Sequence, residues 1–307
     1  MSNTNVECKP HFIVAAPPKT PKSAGVMALW NLADSIEAAG YQTTRLNFTA
    51  VEQDKYVMSL DGHNWVLVHE TSLPTLLQDI PFPIVISGET TDCKYFGTFN
   101  FCRYHLHKMG MLLNKGNMKN DEYHIVSDRF FYEKPNFYLP QFLGKVPLER
   151  ARSIETGSRT LDLTYVGKAS MYTSNLEIMP NTVELTRDWP SENDQYLTLL
   201  MHTRFLYTYD PLTSVNLDAI LMGAVPILLS YAPFDREDWL LHCGDGFIGY
   251  LPDGETDFDE FLLQFPSSRL GCIDHCIRMR DDFSNNVKHM CEDIIQFFQW
   301  NNFKNRP

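Results

Sequence analysis

The chain lacks most of the features that would mark it at once. It has no run of about 20 apolar residues, so nothing in it is long enough to cross a bilayer as a helix; the longest apolar stretch, Leu217 to Leu229, is shorter and carries Asp218. It is poor in basic side chains, with 26 Lys and Arg against 38 Asp and Glu and a net charge of −12. Phosphate backbones are bound by surplus Lys and Arg, so nucleic acid is excluded as the main partner. Residues Met1 to Pro10 hold no apolar core of a secretory leader, and the expectation is a cytoplasmic chain. The seven cysteines are odd in number and form no CxxC unit, which points to free thiols in a reducing compartment. Cys272, His275 and Cys276 lie close together, but their spacing matches no usual zinc site and reads as one buried helix face. There is no internal repeat and no low-complexity tract.

What is there is a large globular chain of 307 residues, 44% apolar and 21% charged, enough for two domains. Residues 1–150 hold 14 basic and 15 acidic residues (14 − 15 = −1), and residues 151–307 hold 12 and 23 (12 − 23 = −11). This change of charge coincides with a polar stretch, Glu149 to Arg159, which reads as a linker. The expected division is 1–155, 156–283 and a last helix over 284–307.

Both halves alternate strands and helices, the pattern of parallel, doubly wound sheets. In the first half, strands are expected at His11–Ala16, Gln42–Leu46, Asn64–His69, Pro83–Ser87 and His124–Ser127, with helices at Val26–Ala39 and His105–Leu113. In the second, strands are expected at Leu161–Val166, Thr182–Leu185, Phe205–Thr208, Val225–Leu229 and Gly246–Tyr250. Helices are expected at Asn193–His202, Ser214–Met222, Phe258–Phe265, Leu270–Asp282 and Ser284–Trp300. Two such units in tandem place a ligand where the C-terminal edges of their sheets face one another.

The strongest local signal runs from Tyr207 to Pro226. A strand ends in a polar loop with Asp210, Thr213 and Ser214, and a helix carrying Asn216 and Asp218 follows. Hydroxyls and unpaired N–H groups at a helix N-terminus favour an anion. The same residues also fit a plain cap, with Thr213 or Ser214 holding the first N–H groups.

The stretch D-P-L-T-S-V-N-L-D-A-I-L-M-G-A-V-P-I resembles the Glu-x7-Glu signature of GT-B fold glycosyltransferases, with Asp210 and Asp218 at the two acidic positions. The resemblance implies two Rossmann-like domains across a cleft and a last helix that returns to the first domain. It implies that Asp218 holds the donor ribose, that Asp210 contacts the donor sugar, and that Thr213, Ser214 and Asn216 lie beside the diphosphate. The turn Tyr165-Val-Gly167-Lys168 is similar to the one that opens the donor domain in that family. A cation there would neutralise the leaving diphosphate. The family's further lysine is absent, and Arg187 or Arg204 is left as its replacement. In the first half, Lys22, Ser23 and Gly25 match the loop that faces donor sugar and acceptor. The segment Ile86 to Gly110, with Glu89, Arg103 and Tyr104, is similar to bacterial rhamnan and O-antigen transferases. Glu89 or the pair His69-Glu70 would then act on the acceptor hydroxyl.

The resemblance implies transfer of a sugar from a nucleotide-sugar donor to a saccharide or lipid-linked acceptor, without a cofactor or divalent metal, in bacterial surface polysaccharide or lipopolysaccharide synthesis; the acidic pair is most similar to the retaining group, and inversion with Glu89 or His69 as general base stays open. Any membrane association would be peripheral, at the inner face. Two other readings compete. A dinucleotide-dependent enzyme lacks its Gly-x-Gly-x-x-Gly after the first strand. A catalytically silent nucleotide-binding scaffold is consistent with the shortened acidic pair.

Overall fold

The computed structural model describes residues 10–52, 55–60, 66–69, 80–97, 99–107, 118–119, 121–154, 158–171, 174, 176–230, 237, 249–252 and 257–304, with the backbone alone for 49–52, 55–60, 66–69 and 300–304. The chain divides into two units, residues 1–141 with 282–307, and residues 142–281.

The first unit is built on β1 (His11–Ala16), α1 (Ala24–Ala38), β2 (Gln42–Glu52), β3 (Lys55–Leu60), β4 (Val66–His69), β5 (Pro83–Gly88), β6 (Asn100–His105), β7 (Tyr123–Val126) and β8 (Phe137–Tyr138). They form one sheet in the order β4-β3-β2-β1-β5-β6-β7-β8. From β2 through β1 to β8 every pairing is parallel. The central strands are continuous apolar runs, and Phe12 to Ala15 and Ile84 to Ile86 are fully buried, as strands covered on both faces must be. Helix α1 begins at Ser23, whose side chain accepts from the Val26 N–H. It buries Ala28, Leu29, Leu32, Ala33 and Ile36 on one face, and Gly40, at φ +90°, follows its C-cap.

The sheet differs from the expected all-parallel one at its outer edge. Strand β2 runs on to Glu52 and turns back as β3, so β2, β3 and β4 form an antiparallel meander. The sign of this was the alternation Leu46, Phe48, Ala50 against polar neighbours, the period of a half-exposed strand. Strand β6 covers an aromatic stretch where no strand was expected and ends at His105, the first residue of the helix expected there; Leu106 and His107 are bends, and 108–113 lie outside the described residues.

The second unit comprises α2 (Leu148–Ser153), β9 (Leu161–Tyr165), β10 (Val183–Leu185), α3 (Asn193–His202), β11 (Thr203–Thr208), α4 (Ser214–Leu221), β12 (Val225–Leu228) and the first part of α5 (Phe258–Lys304). Its parallel sheet has the order β10-β9-β11-β12. The polar stretch taken as a linker is partly α2, which buries Leu148 and Ala151 in this unit's core. The unit therefore begins at Phe142, earlier than residue 156. Of the strand expected at Gly246–Tyr250, residues 246–248 lie outside the described residues, and Tyr250 bridges to Ile227.

Helix α5 corrects another expectation. Three helices were expected, and one of 47 residues is found, with Pro266 inside it. Its later residues Val287, Met290, Cys291, Ile294 and Phe298 are buried, and Asp293 accepts from the Tyr123 hydroxyl of β7. Among the described residues, no helix is long and apolar enough to cross a membrane.

Candidate functional site

In an open parallel sheet, a ligand crevice opens at the carboxyl ends of the strands where strand order reverses. In the second unit that point lies between β9 and β11, since the chain runs from β9 outward to β10 and then back to β11 on the other side. The backbone N–H of Tyr209 donates to Tyr165 O at 3.0 Å, extending the ladder between the two strand ends. Gly167 and Lys168 leave β9 here, and Asp210 to Ser214 leave β11.

Asp210 ties the two loops together. Its Oδ2 accepts from the backbone N–H of Lys168 at 2.9 Å. Gly167 sits at φ +58°, and a Cβ there would lie 2.5 Å from Asp210 Oδ2 and 2.6 Å from Tyr165 Cε1, so backbone and carboxylate meet only because this residue is glycine. Asp210 is 6% exposed. Burial pushes its carboxyl above the usual range, against the Lys168 N–H and ammonium, the Leu212 N–H and the charge of Arg187. The Lys168 ammonium makes no ion pair among the described residues.

Helix α4 starts at this loop. Thr213 is its N-cap and accepts from the Val215 N–H at 3.4 Å, with Ser214 as the first helical residue. Asn216 lies wholly buried under the loop. Its Nδ2 donates to Asp210 O at 2.9 Å and Pro211 O at 3.3 Å, and its Oδ1 has no partner among the described residues.

Asp218 stands apart from this cluster. It is 1% exposed; Oδ1 accepts from the Lys145 N–H at 2.7 Å and Oδ2 from the Tyr196 hydroxyl at 2.9 Å. Burial pushes its carboxyl up to about 6 in spite of these donors. The Asp218 carboxylate, expected to hold the donor ribose, is engaged by these two donors and holds α4 to the segment that opens the unit. Of the two arginines left open for the second cation, Arg204 is exposed and bound to Asp162, whereas the charge of Arg187 acts on both Asp210 and Tyr165.

In the first unit, strand order reverses between β1 and β5. Ser87 Oγ donates to Ala15 O at 2.7 Å and locks the two strands where the loops leave them. Glu89, just past β5, accepts from the Leu106 N–H at 3.0 Å, and a Cβ on Gly25 would lie 3.7 Å from Leu106 Cδ1. Gly25 and Glu89 are thus brought to the same corner around Leu106. Ser23 caps α1 beside it, and Lys22 is exposed.

Arg103 and His69 fall elsewhere. Arg103 is 2% exposed and paired with Glu122 through two bonds of 2.7 and 3.0 Å, and it donates to the carbonyls of Glu89 and Thr91 at 3.1 and 2.8 Å. It braces the Glu89 loop from within the protein and does not face an acceptor. His69 ends the edge strand β4, which lies four strand spacings, about 19 Å, across the sheet from β5. It does not share a site with Glu89, and Glu70 lies outside the described residues.

Comparison with known proteins adds solved structures only. No protein-family model and no curated protein matches the chain in sequence. An alpha-glucosyltransferase in complex with UDP and a 13-mer DNA is similar, at 10% identity over 94% of this chain and 100% of that one, with a TM-score of 0.49. MurG of Acinetobacter baumannii is similar at 8% identity over 92% and 99%, TM-score 0.45. The spinosyn rhamnosyltransferase SpnG complexed with thymidine diphosphate is similar at 10% identity over 92% and 99%, TM-score 0.37. Likeness at these levels carries no argument about chemistry, which rests on the residues.

Sequence reasoning missed Lys145 and Tyr196, the partners of Asp218, because they lie 73 and 22 positions away and neither sits in a motif.

Proposed function

We propose that the protein is a glycosyltransferase whose nucleotide-sugar donor binds at the carboxyl ends of β9 and β11. The observation that carries this reading is the junction of Gly167, Lys168 and Asp210. It brings a cation and the start of α4 to one point, where strand order reverses. The motif resemblance of both loops supports the same assignment.

Lys168 then stabilises negative charge that grows on the diphosphate as the glycosidic bond breaks, and the N–H groups at the start of α4 add to it. Asp210 acts as the brace that sets the Lys168 turn, with Arg187 as the second cation in reach of it. No metal is required by this scheme. Glu89, held by the Leu106 N–H, positions or deprotonates an acceptor hydroxyl of a saccharide or lipid-linked acceptor. The Asp210 and Asp218 pair resembles the retaining group, so retention of configuration is the proposed outcome, in bacterial surface polysaccharide synthesis.

Thermal shift with UDP, TDP, GDP and ADP, with and without EDTA, tests the donor site. A diphosphate at 100 times its dissociation constant adds about 2.7 kcal/mol of apparent stability. One nucleotide is expected to raise the melting temperature regardless of EDTA, and Lys168→Met to abolish most of that rise while leaving the unliganded melt unchanged. No rise with any nucleotide would overturn the reading.

A further inference from the structure

The turn after β10 leaves the sheet next to the candidate donor turn. Leu185, the last residue of β10, pairs in parallel with Tyr165, the last residue of β9. Gly167-Lys168 and Arg187-Asp188-Trp189 therefore follow neighbouring strands at one carboxyl edge, about one strand spacing of 4.8 Å apart. The charge of Arg187 is felt at Tyr165 and Asp210, which puts this turn at the same junction. Thr186 closes the turn. Its Oγ1 accepts from the backbone N–H groups of Asp188 and Trp189 at 3.3 and 3.0 Å, and its own N–H donates to Trp189 O at 3.1 Å. All three bonds use Thr186 and backbone, so the turn forms whatever side chain stands at 189.

What stands there is an indole, 46% exposed. Trp30 shows how an indole is treated where the fold alone uses it: it is 4% exposed, and its ring N–H donates to Pro17 O at 3.0 Å. Met171, which ends the turn that Gly167 opens, is 64% exposed. Both turns that leave β9 and β10 thus hold a large apolar side chain in solvent. A diphosphate at Lys168 can extend its nucleoside toward β11 or toward β10. The β11 side is taken up by the protein's own packing, since Asp210 and Asn216 are buried and Asn216 Nδ2 is bound to Asp210 O and Pro211 O. The β10 side is open, with every residue from Thr186 to Trp189 exposed. A nucleoside diphosphate is anionic at one end and flat at the other, and along this edge the cations Lys168 and Arg187 are followed by the ring of Trp189. A turn stitched in advance presents that ring without the cost of ordering it on binding.

We infer that Trp189 is the platform on which the base of the donor nucleotide stacks, with Arg187 of the same turn supplying charge to the phosphates. This rests on the donor site proposed above. It adds to that site the residue that holds the base, which no motif in the sequence carries. Every base has a π-face, so such a platform reads ring area and not a hydrogen-bond pattern, and it accepts more than one base.

The test measures affinity by calorimetry for UDP, TDP, GDP and ADP and for inorganic pyrophosphate in the whole chain, with tryptophan fluorescence followed in the same titrations. Stacking on an aromatic ring changes affinity about 5- to 150-fold per base. Trp189→Ala is expected to weaken the best-bound nucleoside diphosphate about tenfold or more and to leave pyrophosphate unchanged, and Trp189→Phe to restore most of the loss. Fluorescence of the wild-type protein should fall with that nucleoside diphosphate but not with pyrophosphate, and the fall should be absent from Trp189→Phe. Arg187→Met is expected to weaken both ligands alike. Trp189 lies in solvent on a turn it does not build, so its variants should melt with the wild type. Undiminished nucleoside diphosphate binding in Trp189→Ala, or an equal loss of pyrophosphate binding, overturns this inference and leaves the donor site standing. A wild-type protein that binds none of the four nucleoside diphosphates overturns both.

Discussion

The carboxylate of Asp210 accepts the backbone N–H of Lys168 across 42 positions of sequence, and the glycine between Val166 and Lys168 is what lets them meet. One hydrogen bond thereby joins the loops after two neighbouring parallel strands, and the orientation of Lys168 depends on it.

Gly167→Ala tests this joint. The added methyl would meet Asp210 Oδ2 at 2.5 Å and Tyr165 Cε1 at 2.6 Å, at a backbone φ of +58° that favours glycine. Left-handed strain costs on the order of 1 to 3 kcal/mol before the clash is counted. Urea denaturation should show a loss of at least that size, and nucleotide-induced stabilisation should disappear with it. A variant of wild-type stability would mean that the turn relaxes freely and that the Asp210 contact is not fixed.

Asp218 predicts a pH dependence with a definite sign. Its folded carboxyl is pushed up to about 6 by burial, above its unfolded value of about 3.9. The folded state binds the proton more tightly, so this group's stability is fully present below about pH 4 and is lost as pH rises toward 6. Asp218→Asn keeps an oxygen for the Lys145 N–H and offers its amide to the Tyr196 hydroxyl. The variant should match or exceed wild-type stability at pH 7 and draw level near pH 4, as followed by urea melts across that range. Asp218→Ala, which strands both donors, should lose about 1 to 3 kcal/mol for each buried group left unpaired. Equal losses in the Asn and Ala variants at pH 7 would contradict the assignment.

The Arg103–Glu122 pair behaves in the opposite sense. Burial works to raise the Glu122 carboxyl, but the Arg103 bonds and charge outweigh it and hold it below the usual range. Its contribution is present at neutral pH and is lost as pH falls below the ordinary glutamate value, through the lower folded one. Both side chains are about 98% buried, so Arg103→Met alone should cost about 3 to 5 kcal/mol, leaving Glu122 uncompensated. The double replacement Arg103→Met with Glu122→Leu should recover most of that loss in the same urea melts. Failure of the double variant to recover would show that the bonds to Glu89 O and Thr91 O, and not the ion pair, dominate.

Much of the fold was legible because its strands are apolar runs and its helices follow their apolar period. Thr213 announces α4, and α3 falls at Asn193–His202 as its pattern predicts, whereas the cap at Ser23 was not read and α1 starts two residues before the expected Val26. Legibility failed where local cues mislead. Breaks were expected after Phe265, at Pro266, and at Phe283, yet α5 runs through both, because packing along its length outweighs the hydrogen bond lost at the proline. At the site, the Gly167-Lys168 turn and Asp210 were visible as motifs, whereas the roles of Asp218 and Arg103 were not. An acidic or basic letter does not say whether its charge faces a crevice or a neighbouring backbone, and for these two it is the neighbour that decides.

The course of α5 sets an order of assembly. Residues 142–281 are contiguous, so the second unit has all its parts as soon as that stretch is synthesised. The first unit, begun earlier, still lacks Val287, Met290, Cys291, Ile294 and Phe298 at that moment. Domains form as units during synthesis, and here the half that is translated first is the half completed last.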